Sequence, residues 1–600
     1  MRKTIKRLGA VLLAMAMAVS VLCTGALAAE TGAKTYSISI KSTSKNHTYS
    51  AYQVFAGTLG NADGKTTLGI TGWGNGVKSS ELLTELQKAD ENTESSETTY
   101  NNNPFGNKFV GKTTAADVAS VVATFTDDDA GLATEFAKVV AKHLTTDKID
   151  SASMIDATVG TDGKYTYTIS GLSAGYYLVK DTGTLNANDE SYTNYILKVT
   201  EDGLTIDAKE GVPTVDKTVQ NETAKENDSK DATTAGYGDT VNFTLTGTLP
   251  DNYADYEKYA LTFHDTMANT LEYTAGSVEV KYQKYKYVEG ADGAKGTWQK
   301  DGDLVVIPEK QGTTETVNYT VSTSNEDNHT VDIAFSNVKD LKDTSNNAII
   351  LGAHDQIIVT YKATVKNTAA VGSTANNFNK VYLEYSNDPN DESKKGNTPE
   401  DEVKVYTFQL NIVKNDDKNA TLTGAKFVLA KEKITDFDSS KITEYKDKLI
   451  PVTAYTESTA ADTTYYNYVV GGSTYEMGVS NDGKLNIKGL NEGTYYLYET
   501  EAPAGYNKLT EPVEIMITAS KNASGAATGS VSATLSGAAS GNITETTSGI
   551  LDKVTVVNKQ GSTLPSTGGM GTKLFYTIGG ILMAGAAIVL VVRKRRSDAE

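Results

Sequence analysis

Cysteine is almost missing from this chain. Cys23 is the only one in 600 residues, and it lies in a leader-like N-terminal stretch, so the remainder can form no disulfide and no thiolate metal site. Histidine is nearly as scarce. His47, His143, His264, His329 and His354 show no paired spacing of the kind that holds a metal, and Asp127-Asp128-Asp129 lacks the Asp-x-Asp-x-Asp-Gly pattern of a calcium loop. Solvated turns account for both, and no metal is expected. No Gly-rich phosphate loop follows a strand, and there is no Gly-x-Ser-x-Gly elbow and no metalloprotease helix. Nothing therefore points to turnover of an external substrate, and neither enzymatic activity nor a cofactor is expected. Basic residues are outnumbered, 56 Lys and Arg against 75 Asp and Glu for a net charge of −19, which argues against nucleic acid as a partner.

Both ends carry processing signals. Arg2, Lys3, Lys6 and Arg7 precede an apolar run from Leu8 to Leu22, and Ala26-Leu27-Ala28 supplies the small-x-small pattern of a signal-peptidase site, so residues 1–28 read as a signal peptide. The run is short for an N-terminal membrane anchor, and Leu22 before Cys23 is too bulky for a lipoprotein site. At the other end, residues 574–592 are uncharged, mostly apolar and long enough to span a bilayer, and Arg593, Lys594, Arg595 and Arg596 follow at once, a tail that stays cytoplasmic. Just before the span stand Leu564, Pro565, Ser566, Thr567 and Gly568. Pentapeptide, span and basic tail together resemble the sorting signal of sortase substrates of Gram-positive bacteria. That resemblance implies cleavage between Thr567 and Gly568, covalent attachment to peptidoglycan, and only transient residence in the membrane.

Between these ends Thr, Ser, Tyr and Val are abundant and proline is scarce. Short stretches alternate polar with β-branched or aromatic residues: Thr35 to Ile40, Lys164 to Ile169, Val278 to Tyr282, Ile357 to Val365, Val554 to Val557. Period-two alternation between Gly, Asn and Asp turns predicts an all-β chain of antiparallel sandwiches. Ala115 to Leu144 instead has helical spacing, which predicts a pair of helices inserted in the first domain. Asp162-Gly163-Lys164, Gly171-Leu172 and Tyr176-Tyr177-Leu178 recur as Asp482-Gly483-Lys484, Gly489-Leu490 and Tyr495-Tyr496-Leu497, so one strand–turn–strand unit occurs in two domains. Composition shifts near Lys209 to Pro213 and from Asn387 to Glu400 read as linkers, giving domains at 30–210, 211–400 and 402–560. Three tandem immunoglobulin-like β-sandwiches are expected.

Three clusters carry chemistry. In residues 402–560, the strand Phe408 to Val413 leads to Lys414. Tyr495-x-Leu497-x-Glu499 is followed by Ala502-Pro503-x-Gly505-Tyr506, and Val554 to Val557 leads to Asn558. Residues, spacing and order resemble a collagen-adhesin B-type domain with its E-box, which implies an intramolecular isopeptide bond from Lys414 to Asn558 assisted by Glu499. Burial disfavours the charged form of an amine and makes it a nucleophile, and a carboxyl group kept neutral in the same pocket can hydrogen-bond and polarise the amide. Residues 211–400 resemble the isopeptide-forming middle domain of backbone pilins through Pro213 to Val219, Leu261 to Met267 and Asn379 to Asn387. That resemblance makes Lys217 the nucleophile and Asp265 the proton-managing acid. Asn387 is the preferred acceptor, because an antiparallel pairing of last with first strand would set it beside Lys217, and Asn379 at the other end of the same strand is its rival.

The first domain resembles the N-terminal domain of major pilins through Ile38-x-Ile40-Lys41 and His47 to Phe55. Lys180 stands where Glu499 stands in the third, so no bond through Lys41 is expected. Pilins place a linkage lysine at the end of this domain in a Tyr-Pro-Lys-Asn type motif. Here Leu204 to Glu210 ends in Asp207-Ala208-Lys209-Glu210, so Lys209 is the candidate, although Tyr-Pro and Asn are replaced. The resemblance as a whole implies the shaft subunit of a sortase-assembled pilus. Its partners would be sortase, further copies of itself, accessory pilins and peptidoglycan, with room for host surface receptors. A monomeric wall-anchored adhesin or a basal pilin would share every feature except use of Lys209. A surface hydrolase on a sandwich stalk would need a catalytic constellation in residues 30–210, and none is found.

Overall fold

The computed structural model describes residues 34–561 and 570–597 apart from short internal stretches, the longest being 89–103, 152–159 and 457–463. The leader and the pentapeptide Leu564 to Gly568 lie outside the described residues. The chain is mostly β and forms two compact units, one reaching to Thr407 and taking in Ser520–Ser530, the other made of Phe408–Ala519 and the residues from Val531 on.

The first unit holds two sets of packed sheets. In the N-terminal set, Tyr36–Ser42 lies between Tyr165–Leu172, antiparallel, and Leu204–Asp207, parallel. A second sheet runs in the order Lys65–Trp73, Tyr49–Ala62, Gly175–Asp181, Ile196–Val199. Alternation decides which face is buried: Ile38 and Ile40 meet Tyr49, Ala51, Tyr177 and Val179 in one core. A second core gathers Phe55, Leu68 and Leu178 under the helices Ser79–Leu86, Ala115–Val122 and Ala130–Lys142. The latter two are the pair that the spacing over 115–144 predicts, and Thr114 opens the first of them with a capping box closed by Asp117. Ser79–Leu86 has only eight residues, and its buried pair Leu82 and Leu86 is too short a signal to stand out from a strand.

The second set spans Thr214 to Tyr406. One sheet has the order Thr297–Ile307, Glu279–Val288, Gln356–Val365, Thr240–Thr248, Thr214–Asn221. The other has Ala232–Thr234, Asp401–Tyr406, Phe378–Ser386, Leu261–Met267, His329–Phe335, Thr320–Ser324. Residues 387–400, which read as a linker, are an excursion inside this set, with Asn387, Asp388 and Thr398 buried. Lys395–Asn397 folds back on Glu384–Ser386, and Asp401–Tyr406 pairs with Phe378–Val381, so the break in the sheets falls after Tyr406 and not at 400. A solvated turn and a linker share the same charged, Asn- and Pro-containing composition.

In the second unit one sheet places Phe408–Asp416 between Lys484–Leu490, antiparallel, and Ile550–Asn558, parallel. The facing sheet contains Lys426–Ala430, Gly493–Glu501 and Val513–Lys521. The internal repeat now has a structural meaning. In both copies a glycine at positive φ, Gly163 or Gly483, closes the turn into a strand that pairs with the first strand of its set. The chain then crosses to the other sheet, as Gly175–Asp181 or Gly493–Glu501. Met570–Ser597 is helical, and its segment Leu574–Arg596 is long and apolar enough to cross a membrane.

Candidate functional site

In the second unit the parallel ladder sets Lys414 opposite Val556 and Asp416 opposite Asn558. Two residues along a strand is one side-chain period, so Lys414 and Asn558 project from the same face, toward Glu499 on the facing sheet. The three are 0, 1 and 2 % exposed respectively. Lys414 Nζ donates to the carbonyl oxygens of Asn415 and Val556, each at 3.1 Å. Burial pushes its amine down to about 8, against the attraction of Glu499 and Asp416. Asn558 Nδ2 donates to Glu499 Oε2 at 2.8 Å and to the Asn507 carbonyl at 2.7 Å, and the Leu509 N–H donates to the same carboxylate oxygen at 2.8 Å. Those two backbone contacts explain the Ala-Pro-x-Gly-Tyr part of the motif. Gly505 at φ +87° and the Tyr506 N–H to Pro503 bond form a tight turn that brings Asn507 and Leu509 back over the pocket. Glu499 Oε1 and Asn558 Oδ1 are shielded from water with no hydrogen-bond partner among the described residues.

In the middle set Lys217 and Asp265 are each 1 % exposed, and Lys217 Nζ is ion-paired with Asp265 Oδ2 beneath the rings of Phe243 and Tyr361. Burial pushes the lysine down and the aspartate up, so desolvation drives both toward their neutral forms while their mutual attraction opposes it. Asp265 Oδ1 accepts from the Tyr361 hydroxyl at 2.6 Å, and Tyr361 in turn accepts from Asn379 Nδ2 at 2.5 Å. Asn379 is fully buried, and its Oδ1 has no partner among the described residues.

This corrects the preferred acceptor. Asn387 is not beside Lys217, because Thr214–Asn221 pairs with Thr240–Thr248, while Phe378–Ser386 lies in the opposite sheet with Asn379 near Asp265. Eight residues of extended strand separate Asn379 from Asn387, roughly 26 Å. At that far end Asn387 accepts from the Tyr192 N–H at 2.7 Å, a contact with the N-terminal set. The rival, Asn379, is the amide linked to Asp265, the partner of Lys217, through the Tyr361 hydroxyl. Tyr361 escaped the sequence reading, although its inward position in the alternation of Ile357 to Val365 marked it as a core residue able to present a hydroxyl.

The N-terminal set has a different cluster in the corresponding corner. Lys41 makes an exposed ion pair with Asp162, and Lys180 lies over the Tyr195 ring. One residue on from Lys180, Asp181 Oδ2 sits 2.5 Å from Nδ1 of His47, and Glu210 Oε2 sits 2.9 Å from Nε2. The histidine side chain is fully enclosed. Burial acts to lower its pKa but is outweighed by the two carboxylates, which bring it up to about 9. Glu210 also accepts from the Thr43 N–H and from the hydroxyls of Thr43 and Ser42, and is held below the usual carboxylate range by His47 despite its burial. Its neighbour Lys209 is half-buried, just past the strand Leu204–Asp207, with Nζ shielded and unpartnered among the described residues.

Two predictions follow from these geometries. A histidine whose pKa rises from about 6.5 unfolded to about 9 folded contributes stability that is complete below pH 6.5 and lost as pH climbs through 9, about 3 kcal/mol in all. Thermal melts of the N-terminal set, followed by Trp73 fluorescence in a Trp298→Phe background, should therefore drop between pH 6.5 and 9.5, and His47→Gln should flatten that profile. Tyr361→Phe removes the hydroxyl between Asp265 and Asn379 while keeping the ring. For the covalent closure proposed below, the loss should slow the middle set's reaction about tenfold, about 1–2 kcal/mol for one lost buried hydrogen bond, read as ammonia loss against time after refolding.

Residues 408–529 match the prealbumin-like fold domain called SpaA, and residues 556–599 match the LPXTG cell wall anchor motif. The trypsin-resistant surface T6 protein of Streptococcus pyogenes serotype M6 is 24% identical over 484 residues, 73% of this chain and 78% of that protein. Among solved structures, the T6 backbone pilin of the same serotype has a TM-score of 0.46 at 16% identity, with 89% of this chain and all of the other covered. The Corynebacterium diphtheriae major pilin SpaA has a TM-score of 0.41 at 12% identity, with 88% and 100% covered. With a prealbumin-like SpaA domain and an LPXTG cell wall anchor whose apolar helix is long enough to cross a membrane, the chain is a cell-wall-anchored surface protein.

Proposed function

We propose that the chain is the shaft subunit of a covalently polymerised pilus, closed internally by Lys414–Asn558 and Lys217–Asn379 isopeptide bonds. The observation that carries this reading is the enclosure of each lysine amine together with one carboxyl group and one amide. In the first closure, neutral Lys414 Nζ attacks Asn558 Cγ and a new C–N bond forms as the bond to Nδ2 breaks. The proton shed by the amine passes through Glu499 to the departing nitrogen, which already hydrogen-bonds that carboxyl group, and ammonia leaves. No oxidant or cofactor is needed. The new amide N–H is a donor of the kind that the shielded Glu499 Oε1 lacks. In the middle set Asp265 and Tyr361 form the corresponding relay to Asn379.

Polymerisation uses the other pair of groups. A sortase cuts between Thr567 and Gly568, releasing the Gly568 amine and holding the Thr567 carbonyl as a thioester. The Lys209 amine of the next copy then displaces the thiolate to leave an amide between subunits. Tension in such a shaft enters each copy at Lys209, crosses from Lys217 to Asn379 and from Lys414 to Asn558, and leaves at Thr567. The shielding of Lys209 Nζ favours a second reading, a monomeric wall-anchored adhesin or basal pilin in which this lysine is idle.

The readings separate on cells. Lys209→Ala should collapse a ladder of covalent high-mass species to monomer. A surviving ladder would exclude Lys209 as the linkage site, and a wild-type chain with no ladder would favour the second reading. Separately, Glu499→Ala should leave Lys414 and Asn558 unjoined. A crosslink closing a loop of about 145 residues is worth roughly 5 kcal/mol, so the melting point of the second unit should fall sharply.

A further inference from the structure

The hairpin formed by Glu279–Val288 and Thr297–Ile307 is longer than the sheet it belongs to. Its inner strand pairs with Gln356–Val365 only from Glu279 to Gln283, where Gln283 faces Gln356. From Lys284 to Val288 it pairs with Thr297 to Asp301 alone, so an arm of about five residues, roughly 16 Å, overhangs the sheet. The end it overhangs is defined by register. Gln356 is opposite Thr248, and Thr248 is opposite Thr214, the first residue of its strand and a few positions after Lys209. The arm thus extends past the edge at which the Lys209 segment enters the middle set.

The arm is anchored on that side. Trp298 stacks on His354 with ring centroids 4.0 Å apart, and His354, at φ +66°, sets its Nε2 against Asp251 Oδ1. The next residue, Asn252, brackets Gly211: with its amide turned so that both atoms are satisfied, the nitrogen donates to the Gly211 carbonyl and the oxygen accepts from the Gly211 N–H, both at 3.2 Å. Beyond that anchor the rings stay open to solvent. Trp298 is 41 % exposed and Tyr287 37 %, at 5.5 Å from each other, on an arm that otherwise carries Lys, Gln and Asp with Tyr285, Val288 and Thr297. Trp298 is one of only two tryptophans in the chain.

We propose that these two rings seat Leu564 and Pro565 of the adjoining copy once its Thr567 has been joined to Lys209. The inference rests on the linkage proposed above and deepens it. An amide at Lys209 Nζ fixes Thr567, and three residues of extended chain reach only about 10 Å further, so the one apolar pair in the sorting pentapeptide must settle on surface close to Lys209. Aromatic faces are the usual seats for proline in extended peptides. The two rings are the exposed aromatic surface that the described residues carry to this edge.

A photo-crosslinking benzophenone side chain at position 563, just outside the pentapeptide, tests this in polymer formed on cells. The expected crosslinks map to peptides containing residues 284–288 or 297–301 of the neighbouring copy. Trp298→Ala combined with Tyr287→Ala should reduce them about fivefold, the effect of losing an aromatic contact, and Trp298→Phe should restore them. Crosslinks confined to another part of the neighbour, or to the sortase, would overturn the proposed seat and leave the Lys209 linkage standing, provided that Lys209→Ala still abolishes the ladder. A ladder that survives Lys209→Ala would remove the linkage and the seat together.

Discussion

A lysine amine shut inside a β-sandwich cannot keep its proton cheaply, and the remainder of the structure is arranged around that constraint. Removing water disfavours the ammonium, and only a close carboxyl group offsets part of the cost. Lys414 and Lys217 both meet this condition, each with one acid and one amide in hydrogen-bonded contact with that acid, directly or through Tyr361. In the closures proposed above, the burial that would be a liability in an unreacted protein supplies the nucleophile for a bond that removes the liability, since the product amide is neutral. Such closures would give a chain without cysteine after Cys23 a crosslink that reducing agents cannot open.

The distribution of these clusters makes sense along the proposed line of force. Lys209 divides the chain. In that proposal residues 210–566 lie between the two points of attachment, and each sandwich there contains a buried lysine with an acid and an amide on distant strands. Everything upstream lies outside the line, and its corresponding corner holds His47 between Asp181 and Glu210, an ionic clamp and not a covalent one. Glu210, where related motifs carry asparagine, is therefore not an idle departure. It fastens the residue after Lys209 to Ser42, Thr43 and His47 at the end of the first strand.

Much of this was legible in the sequence because the signals were local. Alternation marked the strands, 3.6-residue spacing marked the helices at 115–122 and 130–142, and the third-domain cluster stood on a motif whose residues keep fixed offsets. What was not legible depended on which strands meet. Asn379 and Asn387 end the same strand, and choosing between them required knowing that Phe378–Ser386 pairs with Leu261–Met267 and faces Lys217 across the sandwich. Tyr361 and His47 are single residues whose roles arise from partners roughly a hundred positions away or more, Asp265 for one, Asp181 and Glu210 for the other. The boundary after Tyr406 was missed because an excursion rich in turn residues and a linker have the same composition.

Intact mass spectrometry on the secreted fragment from Ala29 to Thr567 addresses the central claim most directly. Two closures require the loss of two ammonia molecules, about 34 Da below the mass calculated from the sequence, with fragment ions joining Lys414 to Asn558 and Lys217 to Asn379. A mass equal to the calculated value would contradict the account, leaving two buried amines that the fold encloses without reacting.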